Sequence, residues 1–337
     1  MKIAIHHTKG SFSERWIKYC DEQNIAYQLV NCFDSNIVQH LHDCDALMWH
    51  YLHDSFSDGL VAQPLLFSLQ VSGKKVFPNF NTAWHFDDKI AQKYLFESLN
   101  IPYINTYVFY NKDEALKWFE KTTYPKVFKL RGGAGSSNVK LIRNENQAKK
   151  IVNKAFGKGF KAFDGRDYFK DTFKKYRIGK ESKINLLKAF AHIFITTAFG
   201  KMKANEKGYV YIQDFLPNND SDIRIVVIGD KAYGIKRLVR ENDFRASGSG
   251  KILYEAENIP LPLIKIAFDA AEKLKSQCAA FDFIYNEQGV PLIVEVSYGF
   301  SIRGYDTCVG HWDKQLNFYP GLFNPYGWMV ENLIHQK

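Results

Sequence analysis

DSDIRIVVIGDKAYGIKRL, Asp220–Leu238, reads as a β-hairpin, and the remaining elements are placed around it. Two apolar, β-branched runs flank Gly229-Asp230, a dipeptide suited to a two-residue hairpin turn. With that turn fixed, Asp222 pairs with Arg237. Arg224 shares their face, because side chains alternate along a strand. One acid and two arginines then project from strands that are otherwise apolar. Such a set is either a salt-bridge ladder or a holder for a ribose and a triphosphate.

The hairpin runs into RLVRENDFRASGSGK, which carries Arg237, Arg240, Arg245 and Lys251 around acids and a glycine-serine run. It is no Walker A loop. Ile252 follows Gly250-Lys251 where Ser or Thr is required, and Arg245 stands where the first glycine belongs. Any phosphate here is handled through arginine. Further on, AAFDFIYNEQGVPLIVEVSYG (Ala279–Gly299) reads as a second hairpin. A four-residue loop, Asn286–Gly289, sets Asp282 opposite Ile293 and puts Asp282, Glu295 and Ser297 on one face. Carboxylates in strands this apolar need compensation. It comes from a bound Mg²⁺, which accepts one or two carboxylates plus nucleotide phosphates, or from the nearby arginines.

Upstream, KLRGGAGSSNVKLI (Lys129–Ile142) offers Gly133 and Gly135, but Asn138 stands where a dinucleotide fingerprint needs its third glycine. The next segment is also strand-like, not helical, so that fingerprint fails. A glycine-rich hairpin over phosphates and a plain tight turn both remain open. Lys129 lies in the apolar strand Val127–Leu130, where a buried cation wants an anion beside it. Lys89 lies in the first turn of the helix FDDKIAQKYLFESLN, where the dipole disfavours a cation. Either lysine could instead snorkel to water. Asp87 or Asp88 can cap that helix, and Ile101-Pro102 ends it.

The first 80 or so residues alternate strand and helix: strands at Lys2–His6, Ala26–Val30, Ala46–His50 and Lys75–Phe77, helices at Phe12–Asn24 and Leu60–Leu69. Alternation predicts a parallel α/β sheet. Further strands are expected at Tyr107–Tyr110, Lys126–Leu130, Val139–Ile142 and Tyr209–Gln213. An aromatic tail, Gly310–Ile334, closes the chain and is expected either around a substrate pocket or in a purely structural role.

The 337 residues are 46% apolar, which supports a large core. Ile184–Phe199 is interrupted by Lys188 and His192, so it reads as a buried or amphipathic helix, with no membrane span or signal peptide expected. The five cysteines form no C-x-x-C pair, which suggests reduced thiols and a cytoplasmic protein. Six histidines between His6 and His53 lack standard metal-ligand spacing and read as structural. The net charge is +9, yet residues 148–208 alone hold 16 Lys or Arg against 5 Asp or Glu. That segment either attracts an acidic partner or forms a solvated lid. It lacks a nucleic-acid motif, so nucleic acid is not expected.

Taken in order, VFKLRGGAGSSNV, YIQDFLPNNDSDIRIVVIGDKAYGIKRLVRENDFR and FDFIYNEQGVPLIVEVS resemble the ATP-grasp superfamily, especially ligases that add glutamate to ribosomal protein and related carboxylate–amine ligases. The likeness spans roughly Phe86 to Gly299. It implies an α/β fold: an N-terminal domain at 1–82, a lid domain at 83–212 with the basic insertion 148–208, and a larger domain at 213–337, the last two clamping ATP. It implies ATP and Mg²⁺ as cofactors, with small-molecule or peptide carboxylate and amine substrates and an acidic substrate at the insertion as a further option. By resemblance, Lys89 and Lys129 bind phosphates under the loop Gly132, Gly133, Gly135, Ser136 and Ser137. Gln213, Asp214, Phe215 and Leu216 receive adenine. Asp222 sits near the ribose, with Arg224, Lys236 and Arg237 in the nucleotide site. Arg245 faces the transferred phosphoryl group, with Lys129 as its catalytic companion. Asp282, Glu295 and Ser297 bind metal. Ser297 and Ser247 stand where the family has asparagine, which leaves metal number open. A kinase acting on an acidic small molecule and a nucleotide-binding regulator without catalysis are the alternatives.

Overall fold

The computed structural model describes residues 1–52, 55–132, 139–161, 165–177, 181–194, 204–239, 245 and 251–336. Two compact units emerge from the chain. One comprises residues 1–86, 94–103 and 216–337, the other 87–93 and 104–215.

The first unit opens with β1 (Ile3–His6), α1 (Ser13–Glu22), β2 (Tyr27–Val30), α2 (Ile37–His40), β3 (Ala46–Trp49), α3 (Phe56–Val71), β4 (Lys75–Phe77) and α4 (Phe80–Ala83). The four strands form a parallel sheet in the order β2-β1-β3-β4. β1 and β3 are buried at every position, as central parallel strands covered on both faces must be. The helix α5 (Lys89–Ser98) follows, with residues 89–93 belonging to the second unit and 94–98 to the first; its first turn is capped by Asp88 Oδ1, which accepts from the Ile90 and Ala91 amides.

The second unit contains β5 (Thr106–Phe109), α6 (Lys112–Lys121), β6 (Lys126–Lys129), β7 (Lys140–Ile142), α7 (Glu145–Ala155), α8 (Gly165–Arg177), α9 (Lys183–Phe194) and β8 (Val210–Asp214). Its antiparallel sheet runs β5-β8-β6-β7. α6 and α7 cover one face, burying Phe109, Phe128, Ile142, Val210 and Ile212 against Ala115, Phe119 and Val152. α9 is amphipathic rather than buried: Ala189 is fully covered while Ile184 and Leu187 are exposed.

The first unit resumes with β9 (Ser221–Ile228), β10 (Lys231–Leu238), β11 (Ile252–Leu253), α10 (Leu261–Leu274), β12 (Cys278–Tyr285), β13 (Pro291–Ser297), β14 (Gly310–Asp313), β15 (Phe318–Pro320) and α11 (Pro325–His335). The second sheet of this unit runs β13-β12-β9-β10-β14-β15, with β11 on β10. One face, carrying Ile223, Ile225, Phe281, Phe283 and Ile293, packs on α10. Apolar positions of the other face, including Val226, Tyr233 and Cys278, share a core with the parallel sheet and α11. This shared core ties residues 1–86 to residues 216–337 within the first unit. The aromatic tail contributes Tyr326, Met329, Val330 and Leu333 to that core.

The Asp220–Leu238 hairpin has the expected register: Lys231 opposes Ile228 across Gly229-Asp230, and Arg237 opposes Asp222. The second hairpin departs from expectation. Asp282 opposes Glu295, not Ile293. Tyr285 pairs with Pro291, so the loop is one residue longer, and a bulge after Asp282 adds another. The two slips total an even number, so Asp282, Glu295 and Ser297 still share a face. Among the described residues no helix is long and apolar enough to cross a membrane.

Gly229 has φ of 61°, and a Cβ there would meet the Asn332 side chain at 2.4 Å. Gly229→Ala should therefore lower stability by about 1–2 kcal/mol, read as a lower urea midpoint. An unchanged midpoint would contradict the turn geometry.

Candidate functional site

In the first unit, β9, β10, β12 and β13 bring Asp222, Arg224, Arg237, Asp282, Glu295 and Ser297 to one sheet face. Asp282 opposes Arg224 on one side and Glu295 on the other. Directly opposed carboxylates are unfavourable by themselves, and the arginines offset this. Arg224 Nε and Nη2 donate to Asp282 Oδ1 and Oδ2 at 2.5 and 2.7 Å. Arg237 Nε and Nη2 donate to Asp222 Oδ1 and Oδ2 at 2.6 and 2.7 Å. Arg237 Nη2 also lies 2.9 Å from Asp282 Oδ2. The result is an alternating chain, Asp222–Arg237–Asp282–Arg224, with matched charges and two bidentate forks.

Burial works against ionisation of Asp282, but the two guanidinium groups outweigh it and hold the carboxyl well below the usual range. Asp222 goes the other way. Burial and the Asp282 charge push it up, against a single directly bonded arginine. Arg224 also hydrogen-bonds the Tyr305 hydroxyl. Tyr305 sits in the segment after β13, where no sequence pattern marks it. Asn219 was equally invisible: its side chain exchanges hydrogen bonds with Tyr285 of β12, pinning the turn that precedes β9.

Lys236 is not part of this cluster. It pairs with Ile223 and so lies on the face turned to α10. Arg245 is half-buried. Ser247, Gly133, Gly135, Ser136 and Ser137 lie outside the described residues.

The donor set suits Mg²⁺ in part. A Mg²⁺ ion needs only one or two carboxylates when phosphates and water complete its shell. Asp282 Oδ2 accepts from both arginines and Oδ1 from one. A carboxylate has about four acceptor sites, so Oδ1 retains one, beside the opposed Glu295. The Ser297 hydroxyl is occupied by its own strand end: it donates to the Gly299 carbonyl at 2.8 Å and accepts from the Gly299 amide at 3.2 Å. Among the described residues no group of three or more His, Cys, Asp or Glu could hold a metal ion.

The second unit carries the lysines. Lys89 and Lys129 are 5% and 8% exposed. Lys129 pairs with Tyr211 and shares its sheet face with Val127 and Gln213, opposite the face covered by α6 and α7. Gln213 donates through Nε2 to Thr106 Oγ1 and the Tyr211 hydroxyl at 3.2 and 3.0 Å. The Lys89 amide donates to the Arg131 carbonyl at 3.0 Å, next to Gly132. Lys126 is a third buried lysine, missed in the sequence. Its Nζ lies 2.7 Å from Asp214 Oδ1 and 5.8 Å from the Trp118 ring centroid. Phe215 and Leu216 are half-buried and complete the segment where the chain passes from one unit's residues to the other's.

Residues 196–311 match the family model of the RimK-like ATP-grasp domain. That segment, about a third of the chain, is similar to the ATP-grasp family. Solved structures agree along nearly the whole chain at the level of fold. An ATP-grasp RimK domain protein from Sphaerobacter thermophilus is 16% identical with a TM-score of 0.56, covering 99% of this chain and 100% of its own. The biotin carboxylase domain of Hydrogenobacter thermophilus 2-oxoglutarate carboxylase, solved with MgADP and bicarbonate, is 13% identical with a TM-score of 0.59, covering 100% and 70%. N5-carboxyaminoimidazole ribonucleotide synthetase from Thermotoga maritima is 14% identical with a TM-score of 0.60, covering 100% and 76%. No curated protein sequence matches the chain. The chain thus shares with these structures an architecture of α/β layers around parallel and antiparallel sheets.

Asp282→Asn leaves two buried guanidinium groups short of a partner and should cost about 3–5 kcal/mol at pH 7. Because its pKa is lowered in the folded state, Asp282 gives its full stabilisation above the ordinary aspartate value of about 3.9. That stabilisation is lost as pH falls further, through the folded value. Urea unfolding of both proteins at pH 7 and pH 3 should show the gap narrowing in acid. A gap that stays constant would contradict the assignment.

Proposed function

We propose that the chain is an ATP- and Mg²⁺-dependent carboxylate–amine ligase of the ATP-grasp superfamily. A substrate carboxylate oxygen attacks the γ-phosphorus of ATP, the bond to the β-phosphate oxygen breaks, and ADP leaves. An amine then attacks the acylphosphate carbonyl. Phosphate departs, the nitrogen loses a proton, and an amide forms. Such chemistry depends on positioning and charge neutralisation more than on a protein nucleophile.

The observation that carries the reading is the charge-matched chain Asp222–Arg237–Asp282–Arg224 beside Glu295, within the segment similar to the ATP-grasp family. In the proposed roles, Lys89 and Lys129 hold phosphates, and the glycine-rich segment 132–137 covers them. The Gln213–Leu216 segment takes adenine, Asp222 and Arg237 the ribose side, and Arg224 keeps Asp282 ionised. Arg245 meets the transferred phosphoryl group. Glu295 and Asp282 are the metal ligands, where Mg²⁺ would neutralise phosphate charge, and Ser297 shapes the strand end beside them. The MgADP in the Hydrogenobacter domain supports the cofactor pair. The synthetase name of the Thermotoga relative supports ligation as the reaction class. All five cysteines are free and buried, which suits a reducing cytoplasm.

Incubation with Mg-ATP, hydroxylamine and pooled carboxylates, with Glu295→Gln as control, tests the reading. The expected outcome is ADP release with hydroxamate formation, both falling by at least about a hundredfold in the variant. ADP with a stable phosphorylated product and no hydroxamate would replace the ligase with a kinase. No ADP from any pool would favour a nucleotide-binding regulator.

A further inference from the structure

The basic insertion contains a surface that the proposed chemistry does not use. α8 and α9 pack as a helical pair, with Phe169 and Phe190 rings 5.7 Å apart and Tyr168 and His192 rings 5.9 Å apart. α9 turns Ala189 inward. Its outer side repeats at positions 184, 187, 188 and 191, the spacing of one helix face. Ile184 and Leu187 on that face are 65% and 69% exposed, and the exposed Lys188 follows Leu187, one turn after Ile184. An aliphatic pair this open on a helix is costly to leave in water. Lys170, Arg177, Lys183 and Lys188 are exposed on the same two helices.

Charge and shape together select the partner. The segment 148–208 has 16 cations against 5 acids, so its field attracts anions. Of those cations 14 are lysine and only 2 arginine. Nucleic-acid readers rely on arginine forks and on aromatic stacking. Ile184 and Leu187 offer neither. An aliphatic stripe bordered by lysines is instead complementary to an amphipathic helix with leucine-like residues on one face and acids on its flanks. α9 has 12 residues, so it spans about 18 Å, enough for three turns of a partner.

We propose that the outer face of α9, centred on Ile184, Leu187 and Lys188, docks an acidic amphipathic peptide segment. This deepens the ligase reading by naming a peptide as the substrate or partner class. It does not need turnover to be tested. The probe is a fluorescent 16-residue helical peptide of leucine and glutamate with leucines on one face, followed by anisotropy against the full chain. Three comparisons accompany it: a scrambled peptide of equal composition, an oligothymidine of equal charge, and the variants Leu187→Glu and Lys9→Glu. Lys9 is exposed in the other unit and controls for net charge.

The amphipathic peptide should bind at least about tenfold more tightly than the scramble and the oligonucleotide. Leu187→Glu should weaken it by a similar factor, while Lys9→Glu should not. Unaltered melting would show that Leu187→Glu folds. Equal binding of the scramble, or equal loss from Lys9→Glu, would reduce the effect to net charge and overturn the proposal. Tighter binding of the oligonucleotide would make the surface a nucleic-acid site, and no peptide binding at millimolar concentration would remove it altogether. Because hydroxamate formation on small carboxylates is read separately, loss of this proposal and loss of the ligase reading give different results.

Discussion

Four side chains on three neighbouring strands have to balance one another's charge: Asp222 and Arg224 on β9, Arg237 on β10, Asp282 on β12. Any one of these charges left without its partners would be costly, because each is largely removed from water. Their alternation makes the sheet's register a matter of electrostatics as well as packing. A slip by one residue would turn a charged side chain towards α10 and an isoleucine or phenylalanine towards the polar face. The network therefore fixes where Glu295 stands, since Glu295 pairs directly with Asp282.

The same network has a chemical consequence. Asp282 is ionised far below its ordinary range, so it remains an anion whenever the protein is folded near neutrality. Asp222 is harder to ionise, having one bonded arginine and an anion nearby. Two carboxylates a few ångströms apart are thus made unequal by the placement of two arginines. In the ligase reading, the permanently charged one is the metal partner of Glu295, and the other sits where a neutral hydroxyl-rich sugar is handled. Buried lysines in the second unit complete the account. Lys126 has Asp214 as its anion, and Lys129 lies on the opposite sheet face, which the ligase reading gives to phosphate.

Much of this was legible in the sequence where local chemistry sets geometry. Gly229-Asp230 fixed a turn, the turn fixed the register, and the register predicted the Asp222–Arg237 pair. The alternation of residues 1–80 announced the parallel sheet, because buried parallel strands are short continuous apolar runs. What stayed hidden depends on non-local packing. The bulge after Asp282 has no glycine to mark it, so Glu295 was placed opposite the wrong neighbour although on the right face. Tyr305 and Asn219 act from irregular segments, whose positions follow from the strands they meet. Lys126 looked like an ordinary strand-edge cation until Asp214 was set across from it. The merging of the parallel sheet with the larger sheet was also unreadable, since it arises from core residues more than 200 positions apart, such as Phe77 and Tyr298 at 6.3 Å between rings.

Calorimetric titration of ATP into the protein, with and without Mg²⁺ and with Glu295→Gln alongside, addresses the central claim most directly. The account predicts one saturable site that needs Mg²⁺ for full affinity and loses at least about tenfold in the variant. No binding at millimolar ATP, or binding indifferent to both Mg²⁺ and Glu295, would contradict it.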